Sequence, residues 1–300
     1  MICIIIVIYE YTVVKILNSV GKVLKDIRLS LGYTQTEVCK NIMSQSNYSK
    51  VEKGEIDISF SNMIEILNRL DMSVDEFMYI KNELKKHINS HMSKINTLRY
   101  NDTEKLLEFK QDLEKKQTLT SRELELLAIY DSLILIAVKN DFEAAKEKIK
   151  IIWERLEKYD NWYLYDIQLI SNIIYLFPTD TAVSIANLAI KQLEKYKGLR
   201  GINNLTVNIH MNLLLHLIEH EQYELALDKI NKLIPYCISK SLIVHLAVCY
   251  IRKGLLLDLL HKNDSDKWYV RGYSLLESIH SDKLKKELQK EVSQYIKRKY

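Results

Sequence analysis

Residues Ser44–Gly54 read SQSNYSKVEKG. Whether they form a helix, and which of its faces turns inward, decides the fold of the N-terminal part of the chain. Ser44 is a favourable N-cap and Gly54 a favourable residue just past a helix end, so Gln45–Lys53 reads as about two and a half turns. Inside this stretch only Tyr48 and Val51 are apolar, three apart and therefore on one inward face. Gln45, Ser46, Asn47, Ser49 and Lys50 are left outside. Two readings are open at this point. A polar helix after a tight turn suits the DNA major groove, where amide side chains pair bidentately with adenine and Lys reaches guanine or phosphate. The other reading is a solvated surface helix that does no more than pack through Tyr48 and Val51.

Working outward, Val20, Val23, Leu24, Ile27 and Leu31 share one helical face, and Gly32 stops that helix. Thr34–Glu37 has the form of a capping box and opens a short helix to about Ile42. Two further amphipathic segments, Phe60–Leu70 and Val74–Ile80, complete a five-helix head over 17–80. Residues 17–54 carry six Lys/Arg against three Asp/Glu, whereas residues 55–80 carry one against six. The cations available to a DNA backbone are therefore Lys22, Lys25, Arg28, Lys40, Lys50 and Lys53. The head as a whole is slightly acidic, which limits non-specific attraction.

The run GKVLKDIRLSLGYTQTEVC, continued by SQSNYSKVEKGEIDISFSNMIEILNRLDMSVDEFM, resembles the phage-repressor (XRE-type) helix-turn-helix. More closely, it is similar to the head of the Rgg/MutR regulators of low-GC Gram-positive bacteria. This resemblance implies that Gln35 sits on a phosphate and that Ser44 caps the recognition helix. It also implies that Gln45, Ser46 and Lys50 face bases, while Asn47, Ser49 and Lys53 lie near the backbone. Arg28 and Glu52 match a pair that forms a partly buried salt bridge, bracing the first helix against the third.

The remaining sequence is helical by composition. Seven Gly and two Pro in 300 residues are too few for a turn-rich β architecture, so the fold class is all-α. The segment 81–102 reads as a charged linker helix. Beyond it a motif recurs: Phe142-x-x-Ala145-x-x-x-Ile149-x-x-Ile152, then the same pattern from Val183 with Ala186, and again from Tyr223 with Ala226, at offsets of 41 and 40 residues. A looser copy runs from Tyr269 with Gly272 to Ile279. Each copy follows an apolar helix, expected at Glu123–Val138, Tyr163–Phe177, Asn204–Glu219 and Leu242–Leu260. The expectation for 103–300 is a right-handed solenoid of helix pairs, like tetratricopeptide repeats but with a longer period.

Fourteen residues before the four small positions stand Asp131, Asn172, Asn212 and Asp258, and one turn earlier Gln168 and Asn208. Polar residues recurring on otherwise apolar first helices form a candidate groove for an extended peptide, whose backbone carboxamides can grip. Tyr130, Leu135, Tyr175 and Leu215 would then receive its side chains. The alternative is that these polar groups satisfy helix ends and neighbouring loops. The Rgg/MutR resemblance, weaker here, implies a C-terminal helical-repeat domain that binds short secreted peptides after import.

Other classes find no support. The sequence has no Gly-rich phosphate loop, no nucleophile elbow and no C-x-x-C zinc signature, so no catalytic residue, cofactor or metal site is expected. The pairs His87/His91 and His216/His220 lack a third ligand. Cys3, Cys39, Cys237 and Cys249 are irregularly spaced and fit a reducing cytoplasm, and a role for Cys39 or Cys249 in a dimer bond is left open. The apolar run Ile2–Ile8 is too short to span a bilayer. For the extension 1–16, a reading frame opened too early, with translation starting near Leu17, stands against a short strand or a tail. Lys283–Tyr300 either caps the solenoid or meets a second subunit. The expected function is a cytoplasmic, homodimeric, peptide-responsive regulator that binds an operator in double-stranded DNA. The alternative is a helical-repeat adaptor whose head is a contact module without a peptide ligand.

Overall fold

Among the described residues, the five helices of the N-terminal unit each begin on a serine or threonine whose hydroxyl oxygen accepts an amide three residues onward. The caps are Ser19 for α1 (Val20–Ser30), Thr34 for α2 (Gln35–Cys39) and Ser44 for α3 (Gln45–Lys53). Ser59 caps α4 (Phe60–Arg69) and Ser73 caps α5 (Val74–Ile80). Each such cap stabilises its helix by about 1 kcal/mol, which matters for elements this short. The computed structural model describes residues 19–81 and 103–299, and the chain divides into two compact units, Met1–Thr97 and Leu98–Tyr300. The expected N-terminal extension, linker helix and His87/His91 pair lie outside the described residues.

The core of the first unit gathers Val23, Leu24 and Ile27 of α1, Val38 of α2, Tyr48 and Val51 of α3, Ile66 and Leu67 of α4, and Phe77 of α5. α1 crosses α3 at backbone distance. A Cβ placed on Gly21 would stand 1.7 Å from the Val51 carbonyl oxygen. We expect Gly21→Ala to cost this unit about 1–3 kcal/mol, because the helices must separate to admit the methyl group. A chemical-denaturation midpoint unchanged from the parent chain would contradict that crossing.

The second unit holds ten of the fifteen α-helices found among the described residues, which include no strand. α6 (Thr103–Glu114) packs on α7 (Ser121–Ile134), and α7 ends in a π turn at Leu135–Lys139. There follow α8 (Phe142–Leu156), α9 (Leu164–Ile173), α10 (Thr179–Leu193), α11 (Ile202–Glu219) and α12 (Tyr223–Ser239). The last three are α13 (Ile243–Leu259), α14 (Ser265–Ser278) and α15 (Asp282–Lys299). Each helix packs on its chain neighbour, and α7, α9 and α11 also pack on one another in sequence. That is the stacking of a helix-pair solenoid.

The repeat's small residues lie in the seams: Ala145, Ala186, Ala226 and Gly272 are buried. A Cβ on Gly272 would meet Ile251 at 2.5 Å and the Ala247 carbonyl oxygen at 2.8 Å. The looser fourth copy departs at Ile279, which is 40% exposed. Leu288 of α15, flanked by Leu284 and Val292, is buried against α13 and α14, and the Tyr295 hydroxyl reaches Glu219 of α11. The terminal helix thus places this apolar face against its own solenoid rather than leaving it for a second subunit.

Candidate nucleic-acid and ligand interfaces

The outer face of α3 rests on a buried polar chain. Arg28 donates through Nε to Glu52 Oε1 at 2.6 Å and through Nη2 to Oε2 at 3.0 Å, and its Nη1 caps the Tyr33 carbonyl at 2.7 Å. The side chains of Arg28 and Glu52 are only 8% and 2% exposed, so the pair is buried rather than partly buried. Arg28 is correspondingly removed from the set of cations that can meet a phosphate: both edges of its guanidinium are spent inside the unit. Burial by itself would raise the Glu52 carboxyl, but hydrogen bonds from Arg28 and Gln35 outweigh it and hold the group below its ordinary value.

Gln35 extends this chain outward. Its Nε2 donates to Glu52 Oε2 at 2.8 Å, and its Oε1 accepts from Gln45 Nε2 at 2.6 Å. Gln35, half-buried, is therefore a strut between the buried carboxylate and the first residue of α3. Gln45 keeps an amide oxygen and a second N–H, which is the acceptor–donor pair that adenine requires in the major groove. Ser44, Gln45, Ser46, Asn47, Lys50 and Lys53 are exposed, and Ser49 is half-buried.

Sequence reasoning missed Arg69. From α4 its Nη1 donates to the Val38 carbonyl at 3.0 Å and to the carbonyls of Glu37 and Lys40, gathering the free C=O groups at the end of α2. It fixes the turn that leads into α3. A lone Arg at the end of an amphipathic helix gives no pattern by which to find it.

In the repeat unit the predicted polar residues meet different partners. Asp131 is ion-paired with Lys110 of α6 at 2.7 Å and Lys148 of α8 at 3.2 Å. Asp258 accepts from the Tyr269 hydroxyl of α14 at 2.8 Å. Both acids are thus engaged by neighbouring helices. The amides lie along the first helices instead. Asn172 Nδ2 donates to the Gln168 carbonyl at 2.7 Å, and Asn212 Nδ2 to the Ser171 carbonyl of α9 at 2.6 Å. Asn208 Oδ1 lies 3.2 Å from His245 Nε2 of α13. All four amide residues are half-buried, and the Oδ1 atoms of Asn172 and Asn212 have no hydrogen-bond partner among the described residues.

Of the apolar residues expected to receive peptide side chains, Leu135, Tyr175 and Leu215 are half-buried. Tyr130 is a correction: it is fully buried, packing its ring against Phe109 at 6.3 Å, and belongs to the core. The His216 and His220 rings lie 4.1 Å apart, tilted by 40°, with His216 Nε2 3.4 Å from the Thr179 hydroxyl. Burial and the neighbouring His220 press the His216 pKa down to about 4, a packed neutral imidazole. Cys39 and Cys249 are both buried, so neither thiol is presented to a second chain. No helix among the described residues is long and apolar enough to cross a membrane.

The comparisons with known proteins match this geometry. Residues 24–77 match the helix-turn-helix family, and residues 104–290 match the C-terminal domain of the HTH-type transcriptional regulator Rgg. A protein of Listeria monocytogenes EGD-e superposes with a TM-score of 0.77 at 21% identity, over 94% of this chain and 98% of that one. Bacillus thuringiensis PlcR, solved with the peptide PapR7 and DNA, superposes with a TM-score of 0.65 at 18% identity, over 90% of this chain and 99% of its own. The Streptococcus dysgalactiae SHP pheromone receptor Rgg2 gives 0.71 at 16% identity, over 92% and 99%. These likenesses establish a shared fold, and the match over most of the repeat unit adds the family: this chain belongs to the Rgg family of helix-turn-helix transcriptional regulators, which are not enzymes.

Proposed function

We propose that this regulator reads its operator with α3 and that a short peptide bound along the first helices of its repeat unit sets the outcome. The observation that carries the DNA reading is the strut from Glu52 through Gln35 to Gln45, which fixes an exposed amide at the start of an exposed polar helix. Gln45, Ser46 and Lys50 face bases, while Ser44, Asn47, Ser49 and Lys53 lie toward phosphates, where Lys22, Lys25 and Lys40 add charge. Gln35 contributes first as the brace of Gln45 and only then as a phosphate contact. The chain acts as a homodimer in the cytoplasm, its two heads reading half-sites about one helical turn apart.

For the peptide, Gln168, Asn172, Asn208 and Asn212 supply the backbone contacts. Asn172 and Asn212 each have an Oδ1 free to accept a peptide N–H, while Asp131 and Asp258, already engaged, do not take part. The peptide acts by favouring one arrangement of the protein, since equal affinity for both would change nothing. PlcR was solved with a peptide and DNA together, which supports the same division of labour here. Synthetic peptides from small open reading frames beside the gene provide the test. Asn172→Ala/Asn212→Ala should abolish the peptide's effect on operator binding while leaving the affinity for DNA alone unchanged. A peptide response that survives the double change would show that the peptide does not bind along these amides.

A further inference from the structure

Many cations of the repeat unit have a carboxylate partner. Lys110 and Lys148 meet Asp131, Lys116 meets Glu123, and Arg155 meets Glu125 and Asp166. Arg252 meets Glu291 at 2.9 Å, Lys262 meets Glu224 at 2.8 Å, and Lys285 meets Glu277. One group of cations is instead gathered on an aromatic pair. Lys253 of α13 places Nζ 3.8 Å from the centre of the Trp268 ring, and Arg271 of α14 places its guanidinium carbon 5.2 Å from the same ring. The Tyr250 ring packs beside the indole at 5.3 Å. Lys267 precedes Trp268 in the chain and completes the group.

None of these three cations has an acidic partner among the described residues. The indole face attracts a cation but carries no net charge, so three positive groups stay gathered without compensation. Burial, then Arg271 and Lys267, push the Lys253 ammonium below its ordinary pKa. Such a cluster resists its own assembly and gains from an incoming anion. What the anion is attached to follows from the rest of the surface. Lys267, Val270 and Arg271 follow one another at helical spacing on an exposed face of α14, and Val270 is 64% exposed. Phosphates alone would gain nothing from Val270 or from the aromatic pair. A segment carrying both carboxylates and apolar side chains uses all of them.

We propose that Lys253 and Arg271, over the Trp268 ring, together with Lys267 and Val270 on the same exposed stretch of α14, form a docking site for an acidic amphipathic segment of a partner protein. The carboxylates neutralise the three cations and the apolar residues cover Val270 and the exposed part of the indole. The site shares no residue with the amides assigned to the peptide or with α3, so it does not depend on the function proposed above.

The probe is a short fluorescein-labelled peptide of alternating Leu and Glu blocks, titrated by anisotropy with the full chain at low ionic strength. Binding should weaken roughly tenfold in Lys253→Gln/Arg271→Gln, the sum of partly screened charge pairs. It should fall to the level of that variant when the peptide's Glu are replaced by Gln. Lys253→Glu/Arg271→Glu should reject the Glu peptide and bind a Leu/Lys counterpart instead. If circular dichroism shows the double variants misfolded, Lys267→Gln, at an exposed side chain, must still weaken binding measurably. Unchanged affinity in the folded variants overturns the proposal, as does equal binding of the Gln peptide. So does a random DNA duplex whose affinity falls with the same pair, because the site would then serve phosphate.

Discussion

Glu52→Ala should destabilise the N-terminal unit by about 3–5 kcal/mol, enough to unfold a small domain at ambient temperature. The magnitude follows from what stays behind. Arg28 would keep its charge in a site where its side chain is 8% exposed, with two of its hydrogen-bond directions empty. Gln35 would lose its acceptor as well. The same pair makes the unit sensitive to acid. Because the folded-state pKa of Glu52 is depressed, its contribution is complete above the unfolded-state value and is lost as the pH falls through the folded one. Thermal or urea denaturation of the first unit should therefore show a stability that drops below the ordinary carboxylate range in the parent chain. The apolar double replacement Arg28→Met/Glu52→Leu separates stability from positioning. Buried pairs are often replaced without loss by apolar residues of similar volume, so this variant should regain most of the stability. It cannot regain the brace on Gln35, so operator affinity should stay low. A Glu52→Ala chain as stable as the parent would show that the pair is not buried as described.

Much of the head was legible because its signals are local. A hydroxyl cap, a glycine stop and apolar residues three or four apart each act within one turn of helix, and Ser44, Gly54, Tyr48 and Val51 were placed by these signals alone. Gly21 was not, because its requirement comes from the Val51 carbonyl thirty residues away and leaves no trace in the spacing of its own helix. The link from Gln35 to Gln45 was missed for the same reason: the resemblance offered Gln35 a phosphate, and only the fold shows the carboxylate behind it.

In the repeat unit the periodicity located the helix pairs, whereas the two acids of the polar row are engaged by neighbouring helices. The small residue is the fourth residue of α8 and α12 but the eighth of α10 and α14. Counting back a fixed number of residues therefore lands at different heights on the first helices. Asp258 falls near the end of α13, facing Tyr269, while Asn212 falls where it can reach α9. Tyr130 was misplaced because the apolar residues of α7 are spread around the helix, so an aromatic among them carries no sign of which side faces a ligand.

The second large effect belongs to the outer face of α3. Gln45 loses both its contact with a base and its place at the end of the strut when cut back to alanine, and Lys50 loses a cation aimed at guanine or phosphate. Each specific base contact contributes about 1–3 kcal/mol, so the pair should cost roughly a hundredfold in operator affinity. Neither residue belongs to the buried core, and Gln45 and Lys50 are exposed, so the unit's stability should be nearly untouched. Titrating a labelled duplex from the chain's own upstream region with the parent protein and with Gln45→Ala/Lys50→Ala, at matched salt, tests whether α3 reads the operator. Saturable binding by the parent that competing random duplex fails to displace is expected, with a loss of roughly two orders of magnitude in the variant. No binding by the parent at low salt, or equal binding by the two proteins, would contradict it.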